Sequence, residues 1–539
     1  MPTICPRCAT SSSRIHSRRI GTGRGIENNI GTEISDPQTR TGFSREKAQE
    51  TSGSCSSVVW AVSAHPAEAA RLHSHPLLIP PRKEGLRILA WLSRFSSGSL
   101  LDPASLSLCS LLMRRFPFSW IAFVLLGSMV PGGLAGADWP QWRGSNRNGF
   151  AAAGESLATL PLEAKRVWKV SVGEGLASPV VADGRVFHFD SRDGKETVHA
   201  LDAATARELW SAAVDDSFHD EQGPAGPRCT PLVDGNRLYV QSCQGELQCR
   251  GASDGMLLWR ANFLKDFGAV ILGEDSKVPG AAEHGYTASP IVVSDQLIAC
   301  AGGTNGAGVV SFDKQSGKVL WKSQNDLASY SSSIVASLAG VPQLIAFTVE
   351  GVIGLNLQNG RLLWRVPLKT AYGRNVTTPV RVQNWVIVGS YQAGLVGIRV
   401  THEGEDWRAE QGWANKEAAM NFSSPVAVGE HLYGLGPARN LICVDAGSGK
   451  IVWSKLGYWG TSADAAYGAF IVVGKNILAT TDEGQAILFA ADPTGCRELG
   501  RAQVCARNWC HPAFADGKLY IRSGLHTQGA LFCLDLVTH

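Results

Sequence analysis

The segment at residues 200–210, ALDAATARELW, decides the fold because it recurs at 311–321 as SFDKQSGKVLW and at 443–453 as CVDAGSGKIVW. Weaker copies occupy residues 251–259 and 356–364. In these copies an Asp or Asn ends one strand, and its side chain can accept hydrogen bonds from the backbone of the following turn. In every copy except the first, a glycine four residues before the tryptophan can adopt the positive φ that closes the turn. The segment therefore predicts a strand, a turn and a second strand anchored by tryptophan.

A second pattern supplies the other half of each repeated unit. Short apolar runs are joined by Asp-Gly at residues 183–184, 234–235 and 516–517, which predicts tight hairpins. The two patterns together make four short strands, about the length of one propeller blade. Eight units follow from the positions at which their first strands begin: Pro179, Pro231, Pro290, Ile334, Pro379, Pro425, Ala465 and Pro512.

The last strand of each unit is expected to carry a residue that packs on the neighbouring unit. These anchors are Trp210, Trp259, Trp321, Trp364, an irregular Trp407 and Trp453, with Leu499 in the seventh unit. The eighth unit lacks such a strand, whereas an unassigned strand at 166–170, containing Trp168, precedes the first unit. We predict that this strand completes the last blade, because closure of the ring removes exposed sheet edges. The fold expected is an all-β, eight-bladed β-propeller of four-stranded blades over residues 165–539, closed by its N-terminal strand.

The chain ahead of the repeats has three parts. Residues 1–112 are rich in Ser and Arg and lack periodicity, so we interpret them as a disordered or misannotated extension. Residues 113–137 combine a basic start, an apolar run and small residues before a cleavage site after Ala137, which predicts a signal peptide starting at Met113. The alternative is a genuine extension with an internal anchor. The signal predicts a periplasmic or otherwise extracytoplasmic protein, in which residues 138–164 form a leader segment to the ring.

The composition of the chain argues against several classes of protein. Charged residues make up 18% of the chain and the formal net charge is +3, so long charged helices are not expected and nothing favours nucleic-acid binding. The apolar run at 116–130 is short for a membrane span, and we expect no span in the mature protein. We also expect a monomer.

Nine cysteines follow residue 137, and export would permit disulfides. Cys243 and Cys249 flank a turn and could face each other across a hairpin, and Cys505 and Cys510 form a second possible pair. The odd count leaves at least one thiol free or paired with another molecule.

Propellers bind ligands at the mouths of their central channel, on the loops that join blades. Residues just before a first strand should therefore line such a mouth. The candidate ligand-binding residues in these loops are His219, Glu221, Arg228, Glu283, His284, Tyr286, Tyr372, Arg374 and Asn421. The alternative interpretation is that they belong to solvated loops with ordinary hydrogen bonds.

The repeat, in its general form A-x-D-x-x-T/S-G-K-x-x-W, resembles that of pyrroloquinoline-quinone (PQQ) dehydrogenase propellers and their non-catalytic relatives, which include the propeller lipoprotein of outer-membrane barrel assembly. The opening of the leader, DWPQWRG at 138–144, is similar to that of many secreted propellers of this class in planctomycete-type bacteria. The enzymes of the family carry two adjacent cysteines and hold calcium with Glu, Asn and Asp from different blades. This chain has no Cys-Cys pair, no C-x-x-C-H haem motif and no short motif that places the calcium ligands.

The resemblance therefore implies a non-catalytic binding or assembly scaffold in the cell envelope, with an envelope protein or a polymer as its partner. We predict no catalytic residue, no metal site and no cofactor. One alternative is an oxidoreductase that depends on PQQ and calcium. Another is a glycan-binding module, which the aromatic residues of the loops suggest.

Overall fold

Consecutive strands of each repeat pair in antiparallel register, as the short turns between them require. The computed structural model describes residues 137–220, 223–271, 281–370, 373–390, 392–460, 466–524 and 529–537. Within these residues the strands form eight four-stranded sheets, all in the compact unit Pro117–His539. The sheets are the blades of an eight-bladed β-propeller, which confirms the predicted fold class.

The N-terminal strand β1 (Lys165–Val172) precedes the first repeat. Blades 1 and 2 contain β2 (Val180–Ala182), β3 (Arg185–Arg192), β4 (Lys195–Asp202), β5 (Glu208–Asp216), β6 (Leu232–Asp234), β7 (Arg237–Gln241), β8 (Glu246–Gly251) and β9 (Leu257–Asn262). Blades 3 and 4 contain β10 (Ile291–Val293), β11 (Gln296–Cys300), β12 (Val309–Asp313), β13 (Val319–Ser323), β14 (Ile334–Leu338), β15 (Val341–Phe347), β16 (Gly351–Asn356) and β17 (Leu362–Pro367).

Blades 5 and 6 contain β18 (Val380–Val382), β19 (Trp385–Ser390), β20 (Gly394–Glu403), β21 (Asp406–Asn415), β22 (Val426–Val428), β23 (His431–Leu435), β24 (Leu441–Asp445) and β25 (Ile451–Lys455). Blade 7 contains β26 (Gly468–Val473), β27 (Asn476–Thr481), β28 (Gln485–Ala490) and β29 (Glu498–Gln503). Blade 8 contains β30 (Ala513–Ala515), β31 (Lys518–Ser523) and β32 (Gly529–Asp535).

The N-terminal strand closes the ring. β1 pairs antiparallel with β32, from Lys165 opposite Asp535 to Val172 opposite Gly529. It thereby becomes the fourth and outermost strand of blade 8, in the order β1-β32-β31-β30. This confirms the predicted closure.

The helices of the described residues are short. They include α1 (Phe263–Phe267) and two 3₁₀ helices, Ala281–His284 and Lys416–Ala418. Asn262 caps α1 by accepting a hydrogen bond from the backbone N–H of Lys265. Among the described residues, no helix has the length and apolar character needed to cross a membrane. The predicted extension and signal peptide lie outside the described residues, apart from Ala137.

The outer rim is built from the predicted turns and tryptophans. Asp202 Oδ1 accepts hydrogen bonds from the backbone N–H groups of Ala204 and Thr205 and from the Thr205 hydroxyl. Trp210 of blade 1 donates from Nε1 to the carbonyl of Ala252 in blade 2, at 3.2 Å. The indoles of Trp168, Trp259 and Trp453 also donate to the turn of the next blade. Those of Trp321 and Trp364 donate instead to glutamines of their own blades.

Blade 5 departs from the predicted pattern. Its strands β20 and β21 have 10 residues each, and Trp407 lies near the tip of this long hairpin, stacked on His402 at 4.0 Å between ring centroids. The anchor position belongs to Trp413, whose Nε1 donates to the carbonyl of Ala446 in blade 6 at 3.1 Å. The assignment of Trp407 is therefore wrong, because the longer hairpin moves the anchor further along β21. Gly449 permits the close approach of Trp413, since a Cβ on this glycine would lie 2.3 Å from the indole.

Burial falls from the axis to the rim. Every residue of the inner strand β2 is buried, whereas the outer strand β9 alternates between exposed and buried residues. Apolar clusters lie between neighbouring blades; in one of them Phe187 and Phe189 of blade 1 pack with Leu238 and Val240 of blade 2. Each blade is therefore stabilised chiefly by its neighbours, as in other repeat architectures.

The structure corrects both proposed disulfides, because all nine cysteines of the described residues are free thiols. Cys249 pairs with Tyr239 across the β7–β8 hairpin, while Cys243 lies in the turn itself. Cys505 and Cys510 are both buried in the loop before β30. Burial raises the pKa of both thiols, that of Cys505 to about 12, which disfavours the thiolate needed for oxidation.

The leader segment runs through the centre of the ring. Trp139 forms a two-way backbone bridge with Val181, and residues 149–151 bond with Val472 on the other side. Hydrogen bonds join residues 139–155 to all eight blades. The partners lie in the innermost strands or next to them: Val181, Val233, Ser289, Pro290, Ser333, Thr378, Pro425, Val472 and Gly517. The leader therefore fills the axis and joins blades that are distant in sequence.

Two buried arginines fasten the leader. Arg147 is 1% exposed, and its guanidinium donates to the carbonyls of Ser289 and Ser333 at 3.0 Å each and also to that of Pro290. Arg143 donates to the carbonyl of Pro425. Burial lowers the pKa of Arg147 to about 9 and that of Arg143 to about 10, so both remain cationic at neutral pH.

Candidate functional site

A pocket lies at one mouth of the channel, with the leader as its floor. The cavity has a volume of about 390 Å³. Trp142 of the leader forms the floor and is held by a hydrogen bond from its Nε1 to the Thr378 hydroxyl, at 2.8 Å. The lining residues are Trp142, Leu176, Ser178, Gly223, Arg228, His284, Thr287, Tyr330, Ser332, Arg374, Val376, Thr378, Phe422, Tyr467 and Trp509. Most of them precede the first strand of a blade, so the ring geometry gathers them at one end.

One side of the pocket carries a guanidinium and an imidazole that share one carboxylate. Arg228 forms an ion pair with Asp220 at 2.6 Å, and His284 Nδ1 lies 3.1 Å from the same carboxylate. The guanidinium of Arg228 also lies over the ring of Phe218, 5.6 Å from its centroid. These contacts restrict the rotation of both side chains, because each is bonded to the same carboxylate.

A second ion pair joins loops of two different blades at the same mouth. Arg374, before β18, bonds Glu283 in the loop before β10 through Nη2 and Oε1 at 2.6 Å. The side chains are 30% and 22% exposed, so the pair is only partly screened by solvent. It ties blades 3 and 5 together across the mouth.

The opposite side of the pocket is aromatic. The ring of Trp509 lies 5.3 Å from that of Phe422 and 5.9 Å from that of Tyr467, between centroids. Burial raises the pKa of Tyr467 and of Tyr330, so both phenols stay protonated and can donate. The pocket therefore presents an aromatic surface opposite two guanidiniums and an imidazole.

Two donors at the pocket lack partners among the described atoms. Nε1 of Trp509 and Nε of Arg228 are buried and have no hydrogen-bond acceptor within the described part of the chain. A buried N–H without an acceptor costs free energy, typically about 1–3 kcal/mol. A ligand that supplies acceptor atoms at this site would recover that energy.

The structure brings together only some of the residues predicted from the sequence. Arg228, His284 and Arg374 line the pocket, and Glu283 joins it through Arg374. The others lie elsewhere: Tyr286 is buried and donates to the Ala301 carbonyl, His219 lines a separate cavity beside β3, and Asn421 lines a small neighbouring cavity. Glu221 and Tyr372 lie outside the described residues.

Several lining residues escaped the sequence analysis. Tyr330, Tyr467 and Trp509 stand before β14, β26 and β30, and they obey the same positional rule as the predicted residues. Their loops are similar in length to those that carry Arg374 and Asn421, so loop length did not distinguish the residues that line the pocket. Trp142 could not be found by that rule at all, since it reaches the mouth from within the channel.

The pocket does not fit the calcium site of the quinoprotein alternative. Calcium takes six to eight oxygen ligands, with carboxylates prominent among them. The lining residues within the described part of the chain include no Asp or Glu, and the nearest carboxylates, Asp220 and Glu283, are already paired with cations. The aromatic and cationic walls could accept a planar anion, but not the metal that accompanies PQQ in those enzymes.

Comparisons with known proteins place these features in a family. The family model described as "Outer membrane protein assembly factor BamB" matches residues 155–259 and 194–455, together more than half of the chain. The protein of that name from Burkholderia pseudomallei (strain K96243) is 24% identical over 371 residues, which are 67% of this chain and 88% of the relative. The protein of that name from Yersinia pestis is 25% identical over 307 residues, which are 48% of this chain and 72% of the relative.

Solved structures include similar propellers at lower identity. BamB from Moraxella catarrhalis is 13% identical with a TM-score of 0.47, over 69% of this chain and 99% of that one. The quinohemoprotein alcohol dehydrogenase from Comamonas testosteroni is 14% identical with a TM-score of 0.41, over 74% and 80%. Because the family model matches more than half of the chain, and the chain has the repeat and forms eight blades, this chain belongs to the PQQ-like repeat propeller family described as outer membrane protein assembly factor BamB.

Proposed function

We propose that this protein is a binding scaffold of the cell envelope that acts in outer membrane protein assembly without performing catalysis. The pocket at the channel mouth carries this proposal, because it offers two buried unpaired donors, Trp509 Nε1 and Arg228 Nε, beside an aromatic wall. The family and the curated relatives, each described as an outer membrane protein assembly factor, support the cellular role. The protein would act as an extracytoplasmic monomer, with an envelope protein as its partner.

The shape of the pocket supports recognition of a side chain or chain end. Arg374 and His284 sit on one wall and Phe422 and Trp509 on the other, so an extended segment with an aromatic group and a carboxylate would satisfy both walls. The floor formed by Trp142 stops the segment from passing through the ring. The site therefore suits binding and release rather than transport along the axis.

Deletion and complementation in the organism that encodes the chain test the cellular role. Loss of the gene is expected to lower the amounts of outer membrane proteins, and the wild-type gene should restore them. A Trp509→Phe, Arg374→Gln double variant should fail to restore them fully, because it removes one unpaired donor and one guanidinium. The matched control, Arg185→Gln, removes a partly exposed guanidinium that does not line the pocket, and it should restore them.

Two outcomes would contradict the proposal. Unchanged outer membrane proteins in the deletion strain would remove the assembly role, and full restoration by the pocket variant would remove the pocket from it. Titration of the purified protein with PQQ, with and without calcium, checks the part of the proposal that excludes a quinone cofactor. A stoichiometric, calcium-dependent change in PQQ absorbance would instead favour the oxidoreductase.

A further inference from the structure

Two histidines and an aspartate form a buried cluster at the seam where the ring closes. His188 on β3 pairs directly with His199 on β4, and their rings stack with centroids 4.5 Å apart. Asp190 lies two residues beyond His188 on the same face of the sheet. This face packs against blade 8, since Arg522 of β31 reaches it by donating to the carbonyls of Phe189 and Gly173.

The three side chains converge within the distance of a metal site. Asp190 Oδ1 lies 3.1 Å from His199 Nε2, and Asp190 Oδ2 lies 3.7 Å from His188 Nδ1. One ligand atom from each residue lies within 4.8 Å of the other two. Ligand atoms that lie about 2.0–2.2 Å from a tetrahedral zinc are roughly 3.3–3.6 Å from one another, which is close to the two separations measured here.

An unpaired nitrogen points to a missing ligand. His188 is 4% exposed, and its Nδ1 has no hydrogen-bond partner among the described atoms although it faces Asp190. The ring therefore offers an unused nitrogen on the side of the Asp190 carboxylate. A neutral imidazole with a free lone pair is the form that coordinates metals.

The surroundings orient the other histidine. His199 Nδ1 lies 2.7 Å from Glu208 Oε2, so Glu208 holds the ring and leaves Nε2 directed at Asp190. A carboxylate on the far nitrogen of a ligating histidine is the usual outer partner of such ligands and fixes the ring orientation.

Nearby charges limit the affinity. Asp190 and Glu208 are negative, but Arg192 donates from Nε to Asp190 Oδ2 at 3.1 Å, and Arg522 is held close by. Arg192 is 39% exposed and lines a solvent-accessible cavity beside β3, so it can move away and open a path to Asp190. These two cations oppose a divalent ion and therefore weaken its binding.

We propose that His188, Asp190 and His199 form a binding site for a divalent transition-metal ion of the zinc class at the seam between blades 8 and 1. Two imidazoles and one carboxylate are a donor set that suits zinc and leaves a fourth position open to water. The site would connect β3 with β4 beside the closing blade. It is independent of the pocket and of the proposed function.

Titration of the purified, metal-free protein with Zn²⁺ by calorimetry, and with Co²⁺ by visible absorption, tests the site. One equivalent is expected to bind, and Co²⁺ is expected to gain the absorption of a tetrahedral N/O environment. His188→Gln should weaken binding by at least about tenfold. His402→Gln is the matched control, because it removes a histidine stacked on Trp407 in blade 5 and should leave the affinity unchanged.

A further variant separates a metal site from a structural cluster. Arg192→Gln removes the cation that bonds Asp190 and should tighten Zn²⁺ binding several-fold, which a purely structural histidine pair would not do. The proposal is overturned if the wild-type protein binds no equivalent of either metal, or if His188→Gln and His402→Gln bind alike. It is also overturned if Arg192→Gln weakens the binding.

Discussion

The outer rim and the central axis of this propeller are held together in different ways. At the rim, one local device recurs around the ring: an Asp or Asn turn and an indole that packs on the next blade, as with Asp202 and Trp210. At the axis, a single segment makes each contact once, and Arg147 alone bonds carbonyls that belong to blades 3 and 4. The rim is redundant, whereas the axis is not.

The contacts at the axis and at the rim should contribute unequally to the stability of the closed ring. Losing one rim contact leaves the others in place, because each blade interface is a separate nearest-neighbour contribution. Losing an axial contact leaves several buried carbonyls without a donor at once. The two regions should therefore respond differently to single substitutions, and four measurements test this.

Arg147→Met is expected to give the largest effect, a loss of about 3 kcal/mol or more in the free energy of unfolding. The carbonyls of Ser289, Pro290 and Ser333 would each lose a charged donor inside the ring. Urea unfolding followed by tryptophan fluorescence measures it. The matched control, Arg185→Met, removes a partly exposed guanidinium whose ion-pair partner, Asp183, is exposed, and it should cost less than about 1 kcal/mol. Equal losses would show that the contacts of Arg147 at the axis stabilise the ring no more than a partly exposed ion pair does.

Trp413→Ala should cost about 2–3 kcal/mol, because the indole packs on Gly449 and donates to the Ala446 carbonyl of the next blade. Trp407→Ala should cost about 1 kcal/mol or less, since this ring stacks on His402 within its own hairpin. Thermal and urea unfolding of both variants decides which tryptophan is the anchor. The reverse order would restore the assignment made from the sequence.

Glu196→Gln should change how the stability of the protein depends on pH. Glu196 is buried and accepts from the backbone N–H groups of Phe218 and Cys243, and burial raises its pKa to about 8. Because the folded pKa lies above the unfolded value of 4.5, the folded state is favoured by protonation, and stability falls as pH rises from about 4.5 to about 8. Glu196→Gln should flatten that decline and exceed the wild type by about 1 kcal/mol or more above pH 8.

The corresponding measurement is the free energy of unfolding of both proteins at several pH values from 4 to about 9. The two curves should meet near pH 4 and separate as the pH rises. Parallel curves would show that the carboxyl titrates alike in the folded and unfolded chains.

Asp445→Ala should give the smallest effect, a few tenths to about 1 kcal/mol. Asp445 Oδ1 accepts from the backbone N–H and the hydroxyl of Ser448 in a turn open to solvent, so water replaces part of what is lost. Asp445→Asn keeps an acceptor and should cost less. A loss as large as that of Arg147→Met would mean that the rim is not redundant.

Much of the fold could be predicted because its rules are local. The Asp-x-x-Ser-Gly turn at 445–449 and the Asp-Gly hairpin at 516–517 depend on residues adjacent in the chain. The number of blades could be predicted because such turns recur along the chain. The same reasoning failed at Trp407, where a longer hairpin displaced the anchor, and at Cys249, whose strand register places it opposite Tyr239. Register and loop length are properties of the paired strands rather than of one segment.

The candidate site was only partly predictable. Arg228, His284 and Arg374 were found because they precede first strands, whereas Tyr286 follows the same rule but turns inward to bond Ala301. A residue that precedes the first strand of a blade lies at this end of the ring. Whether its side chain points into the pocket depends on how its loop packs. Trp142 required knowledge of where the leader runs.

The amino-acid sequence by itself determined the repeat, the number of blades and the closing role of β1, because turn chemistry and strand periodicity act over a few residues. The folded ring alone places the leader in the channel, bonds its buried arginines to carbonyls of different blades, and brings Arg522 to the carbonyl of Phe189, next to His188. These contacts join residues far apart in the chain, and they exist only once the ring has closed around the leader.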